Sequence, residues 1–274
     1  QISYLSVLNV ANSISGVGHA ASIKDSLVQQ QLKQGWTMEI TRSGQLDKER
    51  VLEANTTLLM ANAFDELSVS SLRELGIPII YSTEYIERNS LARAEWIKFF
   101  ALFYNAEKRA NAFFNKSEEE YLLIKDALSS SENTAGAMFG SYYQGTWYVP
   151  GGESLIPSLF RDAGANYVFD DQATPQNVHI DSESLLNRLD KIDYWGFVLS
   201  KEEEPNIEDF LGGDKRMLEL AHSSKMKFFY CNSFYTDYFG MANLEPEVLL
   251  KDLGKIFHPT LFPEHQFVYF QSFK

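Results

Sequence analysis

The chain has 274 residues, enough for one large domain or two modest ones with a real core. It carries 24 Lys and Arg against 37 Asp and Glu, a net charge of −13 with no basic run, which disfavours nucleic acid and anionic lipid surfaces as partners. Its one cysteine, Cys231, excludes an internal disulfide and any multi-cysteine metal site, and no run approaches the roughly 18 apolar residues of a spanning helix.

In chain order, Gln1–Leu8 reads as a strand, and the turn-rich stretch Gly16-Val17-Gly18-His19 follows. A short helix is expected over Asp47–Leu52 and a buried strand over Thr56–Ala61. Ser68–Leu75 reads as a helix closed by Gly76, and Pro78–Tyr81 as another strand. Strand, helix and strand with short connections indicate a parallel sheet covered by helices.

From Leu91 to Leu128 there is neither Gly nor Pro. Ala110, Phe113, Phe114, Ser117, Tyr121, Ile124 and Leu128 recur three or four apart, so Glu107–Leu128 is expected to form one helix of about 33 Å. After Ser129-Ser130-Ser131 the α/β texture restarts. Strands are expected at Thr134–Phe139, Trp195–Leu199, Lys227–Cys231 and Phe267–Phe270, and helices at Glu153–Asp162, Asp181–Leu189 and Pro246–Phe257. The fold class is α/β: two α/β lobes, each with a mainly parallel sheet, joined by one long connecting helix, with a ligand cleft between them. The expected division is 1–106, 107–130 and 131–274.

Aromatic residues make up 14% of the chain, and they cluster after strands. Ser141–Pro150 holds Tyr142, Tyr143, Trp147 and Tyr148 in a turn-rich segment. Asn232–Gly240 adds Phe234, Tyr235, Tyr238 and Phe239, and Tyr81–Tyr85 occupies a like position in the first half. Loops at the carboxyl ends of parallel strands line the ligand crevice of open α/β sheets, where stiff rings suit a large organic ligand. The competing reading puts Trp147 and Tyr148 in the core of their own lobe. Of the five histidines, at positions 19, 179, 222, 258 and 265, none pairs at metal-binding spacing. His19 alone falls near a cleft, and His258 reads as a helix-end residue. The amides of Gly151-Gly152 could bind an anion ahead of a helix, but a turn is the simpler reading. Asp65-Glu66 and Glu202-Glu203-Glu204 are solvated acidic groups or, more sharply, knobs that dock on arginines of a partner.

Several stretches together resemble a known family. These are Leu91–Phe99, Tyr143–Gly152, Leu159-Phe160-Arg161-Asp162-Ala163-Gly164-Ala165-Asn166-Tyr167, and Asp65-Glu66 ahead of Leu72–Ile77. The chain is similar to the helical-hinge solute-binding proteins of ABC transporters, in the branch carrying ferric siderophores, haem and cobalamin. The family places a helix between its first two strands, for which Asn9–Ile14 is too short.

The resemblance implies a non-enzymatic protein of the periplasm, tethered as a lipoprotein or free, and acting as a monomer. It would hold a bulky iron chelate, a ferric siderophore or haem, and deliver it to a membrane permease; a corrinoid is the alternative. Expected ligand contacts are Tyr85, Tyr143, Gln144, Trp147, Asn232, Tyr235 and His19. The docking acids are Glu66 and, among Glu202, Glu203, Glu204 and Glu208, Glu203. No cofactor or metal of the protein's own is expected beyond the carried chelate or corrinoid. A more distant alternative is a hydrolase or chelatase, for which Glu84, Glu95 and His19 are the available residues.

Overall fold

The computed structural model describes residues 1–63, 66–129, 135–211, 218–219 and 225–273, with backbone alone for 66–68. The chain divides into two compact units, Gln1–Ile86 with Glu95–Ala112, and Glu87–Ala94 with Phe113–Lys274.

The first unit opens on a helix, α1 (Ile2–Val7), where the sequence suggested a strand. Ser3, Tyr4 and Leu5 of the helix and Leu8 at its C-terminal cap are buried, a helical spacing of apolar residues that the run of apolar letters disguises, and the Tyr4 ring packs 4.8 Å from Phe100. The expected shortage of a helix is also corrected. α2 (Ser26–Gln34) lies between the parallel strands β1 (Gly16–Val17) and β2 (Met38–Glu39). Asp25 caps it by accepting from the Val28 amide at 2.9 Å, and Gly35 ends it in the left-handed conformation. A short hairpin of β3 (Thr41–Arg42) and β4 (Gln45–Leu46) leads to α3 (Lys48–Glu53), which Asp47 caps. A second parallel pair then follows: β5 (Leu59–Asn62), α4 (Glu66–Arg73) and β6 (Ile79–Ser82). The regular ladders of this unit are thus two separate parallel pairs and a hairpin, over a core of Ile40, Val51, Leu59, Val69, Leu72 and Ile77.

α5 (Ser90–Ala101) precedes α6 (Glu107–Ser129), one uninterrupted helix of 23 residues. Its predicted stripe is its buried face: Ala110, Phe114, Ser117, Tyr121 and Leu128 are all nearly inaccessible. Tyr121 donates to Asp162 at 2.6 Å, and Lys125 pairs with the same carboxylate at 2.8 Å.

The second unit is built on a five-stranded sheet in the order β10-β7-β12-β13-β14, with β7 (Gly136–Phe139), β10 (Asn166–Tyr167), β12 (Tyr194–Leu199), β13 (Lys227–Asn232) and β14 (Gln271–Ser272). All neighbours are parallel except β14, which returns antiparallel against β13. The closing strand therefore lies just beyond the predicted Phe267–Phe270. Those residues are held differently, because the amides of Val268, Tyr269 and Phe270 turn onto a buried carboxylate, Asp252. A smaller antiparallel sheet holds β8 (Ser141–Tyr143), β9 (Thr146–Pro150) and β11 (Asn177–Ile180). Helices α7 (Leu155–Asp162), α8 (Ser182–Leu186), α9 (Ile207–Leu211) and α10 (Pro246–Phe257) complete the described elements.

Much of the aromatic content is buried here. Phe139, Phe160, Phe229, Phe257 and Phe270 form a cluster of edge-to-face and tilted pairs with centroids 5.4–6.4 Å apart. Gly196 in the middle of β12 makes room for it, since a Cβ there would collide with the Phe229 ring.

Candidate functional site

The surface most suited to a ligand in the second unit forms where β12 and β13 end. β13 finishes at Asn232, and the following loop turns its rings outward: Tyr235 is 67% and Phe239 74% exposed, with Phe234 also at the surface. Such exposure of large rings in one loop is unusual in a chain that buries most of its aromatics. The Phe234 and Tyr235 rings meet edge-on at 5.0 Å, and Tyr238 anchors the loop by packing 5.6 Å from Phe270 in the core.

Asn232 is 5% exposed, and three hydrogen bonds hold its amide. Oδ1 accepts from the amides of Lys201 at 3.1 Å and Phe234 at 3.1 Å, and Nδ2 donates to the Lys201 carbonyl at 2.7 Å. These bonds give Asn232, expected as a ligand contact, a structural role as well. Its side chain ties the segment after β12 to the loop after β13, and so positions Tyr235. The Tyr235 hydroxyl in turn donates to the Glu202 carbonyl at 2.5 Å.

The expectation for Trp147 is corrected. The Ser141–Pro150 segment is a β-hairpin, not an irregular loop, with Gln144 and Gly145 at φ 48° and 89° in a two-residue turn. Alternation along β9 then sends Trp147 and Val149 inward and Thr146 and Tyr148 to the other side. Trp147 is 0% exposed, 5.0 Å from both the Trp195 and the Tyr142 rings. It offers no surface to a ligand. The tip does: Tyr143 is 61% exposed, and exposed Gln144 donates to its hydroxyl at 3.2 Å.

Beside Tyr235 lies a crevice of about 500 Å³, lined by Glu202–Pro205, by Tyr230, Asn232, Tyr235 and Thr236, and by Phe267–Phe273. Glu202, Glu203 and Glu204 are exposed, as expected of an acidic knuckle. The third wall was not foreseen. It is held by Asp252, fully buried in α10, which accepts from His265 Nε2 at 2.7 Å, from the Tyr269 amide at 2.7 Å and from the Phe270 amide at 2.9 Å. Burial nevertheless raises the Asp252 carboxyl above the ordinary aspartate range. The signal was in the sequence, as an aspartate within the apolar stripe of Leu249, Leu250, Leu253 and Ile256.

In the first unit, Tyr85 is exposed on the single turn Glu84–Ile86 that follows β6. His19 is exposed too, at φ 51°, with its amide donating to Thr41 Oγ1 at 3.4 Å. Glu66 opens α4, but its side chain lies outside the described residues, as does His222. His258 does end its helix, with Nε2 3.0 Å from the Ala163 carbonyl. The Gly151 and Gly152 amides donate to the Gln176 and Gln172 carbonyls, so these N–H groups are already used and not open to an anion. Cys231 is buried, which pushes its thiol up to about 12. Among the described residues no group of three His, Cys, Asp or Glu could hold a metal ion, and no helix is long and apolar enough to cross a membrane.

Comparison with known proteins adds to this geometry. The chain is 25% identical over 268 residues to an uncharacterized lipoprotein of Methanocaldococcus jannaschii, covering 93% of this chain and 61% of that one. A second uncharacterized protein of the same organism is 27% identical, covering 83% and 68%. The chain thus spans about three fifths of the length of the first of these relatives. Among solved structures, a periplasmic binding protein from Veillonella parvula superposes with a TM-score of 0.70 at 10% identity, covering 93% of this chain and 87% of that one. A periplasmic heme binding protein from Pseudomonas aeruginosa gives 0.67 at 16%, covering 94% and 89%, and the TroA-like periplasmic binding protein FepB from V. parvula 0.65 at 14%, covering 100% and 90%. These likenesses establish the fold, two α/β lobes with a connecting helix. The periplasmic binding protein family model matches residues 3–218, and the chain belongs to that family.

Proposed function

We propose that this protein is the solute-binding component of an ABC importer, working outside the cytoplasmic membrane and tethered there as a lipoprotein. It captures a bulky iron chelate and delivers it to the membrane permease. The observation that carries the reading is family membership over residues 3–218, joined to the exposed rings at the strand ends of the second unit. The names of two neighbours, a heme binding protein from P. aeruginosa and S. aureus IsdE complexed with heme, favour an iron-bearing solute. Two relatives named as lipoproteins favour the tether.

In this reading Tyr143, Gln144, Tyr235 and Phe239 are the second unit's residues for solute contact and Tyr85 and His19 those of the first, while Glu66 meets permease cations. The protein's part is binding, with no bond made or broken. Titrating the chain with haemin, cyanocobalamin and ferric siderophores, followed by intrinsic fluorescence, tests it. A ferric chelate is expected to bind, and Tyr235→Ala to weaken it by about 1–3 kcal/mol without loss of stability. Binding of cyanocobalamin alone would move the solute to the corrinoids, and binding of none would remove the transport reading.

A further inference from the structure

The crevice beside Tyr235 has a chemical preference of its own. Six aromatic residues, Tyr230, Tyr235, Phe267, Tyr269, Phe270 and Phe273, contribute to its walls, and Glu202, Glu203 and Glu204 form its rim. No lysine or arginine stands among the described residues that line it. Of the cations near this rim, Lys201 is already neutralised by Asp209, whose two carboxylate oxygens lie 2.9 Å from Nζ, and Lys255, with Nζ 5.4 Å from the Phe267 centroid, is held by the carbonyls of Pro263 and His265. None of the three glutamates has an ion-pair partner within 4 Å among the described residues. Ring faces and free carboxylates attract the same kind of guest, a positively charged organic group. The volume of about 500 Å³ falls in the range of small-molecule sites.

Each wall is also fixed in advance. Asn232 clamps Lys201 to Phe234, the Tyr235 hydroxyl holds the Glu202 carbonyl, and Asp252 gathers the amides of Tyr269 and Phe270. Tyr269 in turn donates to Glu245. A crevice held on three sides by polar groups needs little ordering when a guest enters.

We propose that this crevice receives an ammonium or guanidinium group of the carried solute, so that the protein selects cationic chelates over anionic ones. The proposal rests on the solute-binding reading above and narrows it. A ferric trishydroxamate with a pendant amine fits, whereas the two propionates of haem would face three like charges in addition to a chain of net charge −13.

The test compares ferrioxamine B, which carries one ammonium, with neutral ferrichrome and with haemin, using the full chain at low salt. Ferrioxamine B is expected to bind about tenfold tighter than ferrichrome, with haemin weakest, and a triple Glu202→Gln, Glu203→Gln, Glu204→Gln variant to erase that order. Equal affinities, a preference for haemin, or an order unchanged in the triple variant would overturn the proposal while leaving solute binding intact. Tetramethylammonium, titrated alone against the native chain and the triple variant, separates the two levels. If it binds in a glutamate-dependent way while no chelate binds, the crevice assignment holds and the iron reading fails. If neither tetramethylammonium nor any chelate binds, the crevice assignment fails.

Discussion

At the residue scale, the sorting of aromatic side chains decides what the surface can bind. Trp147 and Tyr235 both sit in aromatic segments of similar composition, yet one is wholly enclosed and the other two-thirds open. The difference comes from the pleat and the strand end: β9 places Trp147 on the side that faces Trp195, while Tyr235 stands in the loop that follows β13. Trp147→Ala is therefore expected to cost about 3–5 kcal/mol of stability, read as a lower urea midpoint, because it empties a fully packed site. Solute affinity measured on the folded fraction should stay as it was. A loss of affinity with an unchanged midpoint would return Trp147 to the binding surface. Asn232 carries a related lesson. A polar residue at a strand end reads as a ligand contact in sequence, and here it also makes three hydrogen bonds that hold backbone.

At the element scale, the hairpin Ser141–Pro150 shows how turn geometry sets the rim. A two-residue turn with both residues at positive φ matches strand twist but strains a residue with a Cβ, and Gln144 occupies the first of these positions. Gly145, at φ 89°, occupies the second without that cost. Asparagine tolerates the left-handed region better than glutamine, so Gln144→Asn is expected to raise stability by about 0.5–1 kcal/mol, measured by chemical denaturation. A lower midpoint would mean that the Gln144–Tyr143 hydrogen bond outweighs the backbone term. α10 shows the opposite economy. It sacrifices one core position to Asp252, and that carboxylate replaces several missing ladder partners for the segment leading into β14.

At the scale of the whole molecule, α6 supplies continuity, beginning in one compact unit and ending in the other. Within the second unit it is joined to α10 by Ser117, which donates to the Glu247 carboxylate. Burial raises Glu247 above the usual glutamate range despite that bond, with nearby Glu245 and Glu120 adding to the rise. Because the folded form holds its proton more tightly than the unfolded chain, the contribution to stability is fully present below the unfolded value and is lost as pH rises through the raised folded one. Glu247→Gln keeps a partner for Ser117 but cannot ionise. Its stability, followed from about pH 4 to pH 7, should fall less steeply with pH than that of the native chain, and parallel curves would refute the assignment.

The sequence by itself determined the α/β class, the long helix and its buried stripe, most later strands and the acidic knuckle. Each of these is a local pattern, a periodicity or a capping residue whose meaning does not depend on distant partners. Only the tertiary structure decided that Ile2–Val7 is a helix, that Trp147 faces inward, that Asn232 and Asp252 serve the backbone, and that Phe267–Phe273 walls a crevice with Glu202–Glu204. Short apolar runs fit either secondary structure, and the side a ring faces depends on which layer covers it. A crevice wall supplied from some 65 positions further along the chain leaves no pattern in any window of sequence.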